Sequence, residues 1–180
     1  QYIWAGMEQG LSPDEILNGM ATTFSDMGSL QIGMASTFGA PRTFTGATVW
    51  DPNFGVQGQV GDLWYAIQGN VITGAPVVLE AEAALLATEG DLVVKLSAAM
   101  EASRAMGGDG RCSCDDALPG SCGSPPSAPF DRSAHVSFVI VARLGDTDGV
   151  CDSASGCTNG DYYLQRRVSL GGANAVDPVT

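Results

Sequence analysis

Four aspartates near the C-terminal end of the chain are the clearest candidate metal ligands. Asp146, Asp148 and Asp152 stand close together around a glycine, and Asp161 ends the stretch. Hard oxygen ligands on a tight, glycine-bent loop suit Ca²⁺. The loop lacks the glutamate of an EF-hand and its flanking helices, so we expect Ca²⁺ outside that motif. The alternative interpretation is a solvated hairpin loop without an ion.

A second group of polar residues is a candidate pocket lining. Gln68 and Asn70 follow an apolar stretch that is typical of a buried strand. The side-chain N–H groups of Asn70 suit a substrate amide or an oxyanion. The alternative is a hydrogen-bonded turn between strand and helix. Thr45 and Asp109 allow the same two interpretations, pocket lining or turn and cap.

The sequence contains no recognisable catalytic set. His135 is the only histidine, and no cysteine or serine nucleophile motif accompanies it. No G-x-S-x-G motif is present. A triad is therefore not predicted, and we interpret His135 as a strand histidine.

The five cysteines indicate an oxidising compartment. All lie in loop-like sequence rich in glycine, serine, proline and aspartate: Cys112, Cys114, Cys122, Cys151 and Cys157. Free thiols in such loops are a liability, so disulfides and secretion to an extracellular location are expected. The last two cysteines flank a short loop that a bridge could close. The first three supply one bridge and leave one thiol, with the pairing open.

Zinc is the competing interpretation of these cysteines. Their spacing lacks the paired C-x₂-C units of zinc knuckles. The single histidine lies in a predicted strand. The sequence therefore favours disulfides over zinc.

Composition bounds the class of protein. The chain has 180 residues, 44% of them hydrophobic and 16% charged, which is typical of one ordered domain. Its net charge is −12, which disfavours nucleic acid and anionic lipid as partners. No apolar run approaches the roughly 18 residues of a membrane span.

The hydrophobic pattern predicts an α+β fold with mainly antiparallel sheets. Helices are predicted at Tyr2–Gln9, from Ser12 onward, at Ala75–Thr88 and at Asp91–Met106. Strands are predicted at Leu30–Phe38, Arg42–Trp50, Trp64–Gln68, Ala134–Arg143 and Asp161–Leu170, the last two as partners. The glycine-rich stretch Asp51–Asp62 is predicted to be a loop.

Four short motifs in order resemble a bacterial family, domain of unknown function 1028. They read LSPDE at Leu11–Glu15, TFTG at Thr43–Gly46, AIQGNVITG at Ala66–Gly74 and MGGD at Met106–Asp109. The resemblance implies the fold of the N-terminal-nucleophile (Ntn) hydrolases, an α-β-β-α sandwich. Such hydrolases cleave amide bonds with an N-terminal Thr, Ser or Cys.

The resemblance also implies how the chain is organised. Gln1 has no nucleophilic side chain, so the opening strands of the family and its nucleophile are expected before it. A single domain is expected over residues 1–173, partial at its N-terminus, with a linker or tail at 174–180. Against the family pattern, residues 107–133 are a disulfide-type insertion and residues 145–161 an added Asp/Cys loop of a secreted member.

Two functional hypotheses follow. The first is a secreted Ntn-hydrolase-like domain of uncertain activity, an amide hydrolase whose nucleophile lies outside this chain. The second is an extracellular structural or filament subunit that kept the fold without catalysis. Its partners would be other copies of the chain or the missing N-terminal segment. Ca²⁺ is the only cofactor either hypothesis includes.

Overall fold

The structure of the protein, a computed structural model, describes residues 1–142, 151–152, 156–157, 164–169 and 177–179. Its helices are α1 (Tyr2–Glu8), α2 (Pro13–Thr23), α3 (Pro76–Ala87), α4 (Leu92–Ala105) and α5 (Gly110–Ser113). Its strands are β1 (Gln31–Met34), β2 (Arg42–Thr45), β3 (Phe54–Val60), β4 (Leu63–Gly69), β5 (Val136–Val141), β6 (Cys151–Asp152), β7 (Gly156–Cys157) and β8 (Leu164–Ser169). All strand pairs are antiparallel, which confirms the predicted α+β class.

Helices α1 and α2 pack on the β1–β2 hairpin. Ile16 and Met20 of α2 are buried against Met34 of β1. Helix α2 begins with a capping box, in which the Ser12 hydroxyl and the Glu15 carboxylate satisfy each other's backbone N–H groups. This start signal is local in sequence, and the structure confirms it.

Helices α3 and α4 pack on one face of the β3–β4 hairpin. The buried side chains of Ala81, Leu85 and Ala99 contact partly buried apolar residues of β4. Asp91 caps α4 by accepting a hydrogen bond from the Val94 amide, as its sequence position predicts.

The prediction of a loop at Asp51–Asp62 is wrong, because Phe54–Val60 forms β3. Its glycines lie where neighbouring side chains need space. A Cβ at Gly58 would collide with the Tyr65 side chain, and one at Gly55 would lie 3.1 Å from the Thr43 side chain. The glycines here permit close packing, and they do not break the strand.

The two hairpins stack face to face through polar residues. Gly33 of β1 faces Gln68 of β4, and Gly55 of β3 faces Thr43 of β2. The layers over residues 1–105 therefore run helices, hairpin, hairpin, helices. The hydrophobic contacts lie on the two outer faces of this pair of hairpins, and amides, threonines and glycines lie between them.

Strand β5 pairs with β8, as predicted for Ala134–Arg143 and Asp161–Leu170. Strand β5 also contacts α4. Among the residues the structure describes, every helix is too short or too polar to cross a lipid bilayer. The division into a domain at 1–173 and a tail at 174–180 stays a prediction.

Candidate functional site

A chain of amide hydrogen bonds joins two of the predicted pocket residues. Gln31 Nε2 donates to Thr45 Oγ1 at 3.2 Å and to the Gly69 carbonyl at 2.9 Å. Asn70 Nδ2 donates to Gln31 Oε1 at 2.9 Å. The structure thus brings Thr45 and Asn70 together through Gln31. Sequence reasoning missed Gln31, although its alternation with Ile32 and Met34 indicates the opposite face of β1.

Gln68, the third predicted pocket residue, lies beside this network. Its Oε1 is buried and accepts no hydrogen bond from the residues that the structure describes. Leaving a buried acceptor without a donor costs about 1–3 kcal/mol. Gly33 packs against this side chain, where a Cβ would collide with it. Gln68 Oε1 is therefore a buried acceptor that lacks a donor among the described residues.

The backbone beyond Asn70 is strained. Val71 has a φ of 55°, in a left-handed region that β-branched residues rarely occupy. Such a conformation costs on the order of 1–3 kcal/mol and occurs often at functional sites. Buried hydrogen bonds hold it in place, among them one from the Gly110 amide to the Val71 carbonyl at 2.8 Å.

Gln68 opens onto a cleft between β4 and β5. The cleft comprises two adjoining cavities of about 330 and 680 Å³ that share five lining residues: Ile67, Gln68, Met100, Ser103 and Phe138. These volumes are typical of small-molecule sites, as are mostly apolar walls with a few polar groups. Within the described ranges, no strand pairs with the edge of β4 that faces away from β3.

Asp109, the fourth predicted pocket residue, stands apart from the amide network but lines the smaller cavity together with Gln68. Its carboxylate caps α5 through the Arg111 amide at 2.9 Å. It also accepts two hydrogen bonds from the Arg111 guanidinium, at 2.9 and 2.6 Å. Asp109 therefore caps α5, as one of the two interpretations of its sequence position proposed, and it also lines the cleft.

One of the predicted disulfides is formed, between Cys114 and Cys122. Cys112 is the thiol left over. Burial, with a contribution from the Asp109 carboxylate, raises the pKa of the Cys112 thiol to about 11. Without a bound cation it is a neutral thiol at physiological pH and not an activated nucleophile.

Two predictions concern residues at the edge of the described structure. Cys151 and Cys157 are cross-strand partners of β6 and β7, a backbone separation that a disulfide can span. Their side chains lie outside the described residues, so this bridge stays a prediction. The calcium hypothesis also stays a prediction, because Asp146, Asp148, Asp161 and the side chain of Asp152 lie outside the described residues.

Comparison with known protein families places most of the chain in one of them. Residues 1–118 match the model of a family of unknown function, DUF1028. The matched range contains all four motifs and all four predicted pocket residues. No curated protein and no solved structure matches the chain.

Proposed function

We propose, since the chain belongs to the family of unknown function DUF1028, that it forms an Ntn-hydrolase-like domain of a secreted bacterial protein. The order of its layers supports this fold, with two stacked antiparallel hairpins between two pairs of helices. The Cys114–Cys122 disulfide supports an oxidising compartment.

The proposed activity is hydrolysis of an amide bond in the cleft between β4 and β5. Gln68 Oε1 carries this proposal, because it is a buried acceptor to which no described residue donates, and a substrate amide has an N–H to offer it. Asn70 donates one N–H to Gln31 and makes no other hydrogen bond to a described residue. Asn70 is exposed and directly follows Gly69, which lines the smaller cavity. Its second N–H is suited to the oxyanion that forms when a nucleophile attacks a substrate carbonyl at that end of the cleft.

The chemistry would follow the usual course of acyl transfer. A nucleophile outside this chain adds to the carbonyl carbon and loses its proton to the N-terminal amine. The resulting oxyanion returns its electrons as the C–N bond breaks, and that proton passes to the leaving amine. Water then hydrolyses the acyl intermediate and restores the nucleophile. The residues of this chain bind and orient the amide and stabilise the oxyanion.

The test uses the native full-length protein and an aryl β-lactone, whose strained carbonyl acylates N-terminal nucleophiles. We expect N-terminal sequencing to find Thr, Ser or Cys, and intact mass to show one acyl group there. Asn70→Ala should slow acylation about 10²–10³-fold, as for other oxyanion donors. Gln59→Ala is the control, since the Gln59 side chain donates to the nearby Gly61 carbonyl and lines neither cavity.

Two results would contradict the proposed activity. One is a mature N-terminus without a nucleophilic side chain. The other is acylation of Asn70→Ala at the rate of the control variant.

A specific observation favours the second hypothesis, an extracellular subunit that assembles with copies of itself. One face of β5, from which Val136 and Phe138 also line the smaller cavity, exposes three apolar side chains: Val136, Phe138 and Ile140 are 44%, 66% and 38% accessible. A contiguous apolar strand face is typical of a surface that a partner covers. The occupant that this hypothesis commits to is a second copy of the chain.

A further inference from the structure

Asp109, Cys112 and His135 form a cluster of three side chains that can bind a metal ion. A carboxylate oxygen, the thiol sulfur and an imidazole nitrogen all lie within 4.8 Å of one another. We propose that this cluster is a Zn²⁺ site with three protein ligands. The site is separate from the aspartate loop and independent of the proposed hydrolase activity.

The donor set and its dimensions suit zinc. Zn²⁺ binds thiolate at about 2.3 Å and imidazole or carboxylate at about 2.0–2.2 Å, so tetrahedral ligand atoms lie roughly 3–4 Å apart. Small side-chain rotations from separations of up to 4.8 Å reach that geometry. A thiolate and an imidazole also favour zinc over Ca²⁺ or Mg²⁺, which prefer oxygen.

Local structure brings Asp109 and Cys112 together. Asp109 is the N-cap of α5 and Cys112 is the third residue of that helix. Side chains at these two positions converge, as in a capping box. The Cys112 amide donates to the Asp109 carbonyl at 3.0 Å, which fixes the turn.

His135 reaches the cluster through tertiary contacts. The Asp109 amide donates to the Ser133 carbonyl at 2.7 Å, two residues before the histidine. The Ser133 amide in turn donates to the buried carboxylate of Asp177 at 2.7 Å. Gly108, with a φ of 59°, permits this approach, because a Cβ there would collide with the Ser133 carbonyl oxygen.

The carboxylate of Asp109 retains room for a metal ion. A carboxylate offers about four lone-pair positions. Arg111 occupies two on Oδ1 and one on Oδ2. The remaining position on Oδ2 can face the ion, and Arg111 then acts as the outer partner that orients a ligating carboxylate. One thiolate and one carboxylate offset the charge of Zn²⁺.

Of the two sequence features that disfavoured zinc, the spacing of the cysteines still holds, and the strand position of His135 does not. The prediction of a strand from Ala134 is wrong by two residues, since β5 begins at Val136 and His135 lies in the bend before it. His135 is exposed, so solvent reaches the cluster. Three protein ligands leave the fourth tetrahedral position for water or another ligand.

The test uses the full-length protein with its disulfides intact, stripped with a chelator and dialysed. Titration with ZnCl₂ by calorimetry and metal analysis should give one Zn²⁺ per chain at this site. Substitution with Co²⁺ should give the thiolate-to-cobalt charge-transfer absorption. A large excess of CaCl₂ should leave the bound zinc in place, and displacement by Ca²⁺ would overturn the proposal.

Variants identify the ligands. Cys112→Ser and His135→Asn should each weaken zinc binding at least about 100-fold, because loss of an outer partner alone costs 10–100-fold. Asp116→Asn is the matched control, an exposed carboxylate outside the cluster, and should bind like wild type. Circular dichroism verifies that each variant is folded.

Three results would overturn the site. They are the absence of stoichiometric zinc binding, wild-type affinity in folded Cys112→Ser, and a non-reduced peptide map that places Cys112 in a disulfide.

Discussion

Tyr65 shows how one contact sets the titration of a single residue. Its hydroxyl donates to Glu82 Oε1 at 2.7 Å, from β4 to α3. This hydrogen bond, together with desolvation, raises the pKa of the phenol to about 12. Ionisation would place a phenolate beside a carboxylate, so the proton is held more tightly in the folded state than in the unfolded state.

We predict that Glu82→Gln lowers the pKa of Tyr65 toward its ordinary value of about 10. Because the folded pKa is the higher one, the stabilisation is complete below about pH 10 and is lost as the pH rises toward 12. Ultraviolet titration of tyrosinate and unfolding curves at several pH values measure both effects. Glu80→Gln, an exposed carboxylate on the same helix, should change neither.

The four predicted pocket residues occupy different positions in the structure. Thr45 and Asn70 join one network, Gln68 lies beside it, and Asp109 lies across the smaller cavity. The residue that connects the network, Gln31, comes from a strand that has no motif of its own. Residue type therefore indicated which side chains could form hydrogen bonds, and packing determined which of them belong to the network.

At the scale of elements, the turn between α4 and α5 positions the proposed zinc ligands. Gly107 and Gly108 both have positive φ, at 103° and 59°. The pair ends α4 and turns the chain so that Asp109 can bond to the segment before β5. The MGGD motif thus ends α4 and connects it, through the Asp109 amide, to the segment before β5.

We predict that Gly108→Ala destabilises the protein more than Gly61→Ala. Both glycines have similar φ, 59° and 57°, so both substitutions cost about 1–2 kcal/mol in backbone conformation. Only at Gly108 does the new Cβ collide with backbone, the Ser133 carbonyl, which adds about 1–3 kcal/mol. At Gly61 the Cβ meets nothing within 4 Å.

Chemical denaturation of the two variants measures this difference in the free energy of unfolding. Equal losses would show that the approach of Ser133 to Gly108 is not part of the folded state.

At the scale of the whole molecule, the described layers leave apolar surface on β5 uncovered. We predict that the full-length protein associates at high concentration, and that Phe138→Ser weakens association about tenfold or more, as for a buried aromatic anchor. Light scattering coupled to size exclusion measures this. Val94→Ser is the control, because Val94 is a 49% exposed apolar residue of α4 that does not line the cleft beside β5.

A monomer at every concentration would contradict the assembly hypothesis. Equal association of the two variants would place the interface elsewhere.

Local signals in the sequence determined much of the fold. The caps of α2 and α4, the pairing of β5 with β8 and the family motifs were all predicted. The helix caps depend on residues that are neighbours in sequence. The strands β5 and β8 are indicated by the residue pattern within each strand. The glycine-rich β3 was missed, because its pairing and packing with β4 outweigh its poor strand propensity.

The tertiary structure alone decided which functional groups meet. Gln31 bonds to Gly69 and Asn70 from 38 and 39 positions away, and His135 lies beside Asp109 and Cys112 from 26 and 23 positions away. Neither contact leaves a local pattern, since side chains far apart in sequence carry no shared periodicity. The sequence determined the types of side chain available, and packing determined which of them lie within bonding distance.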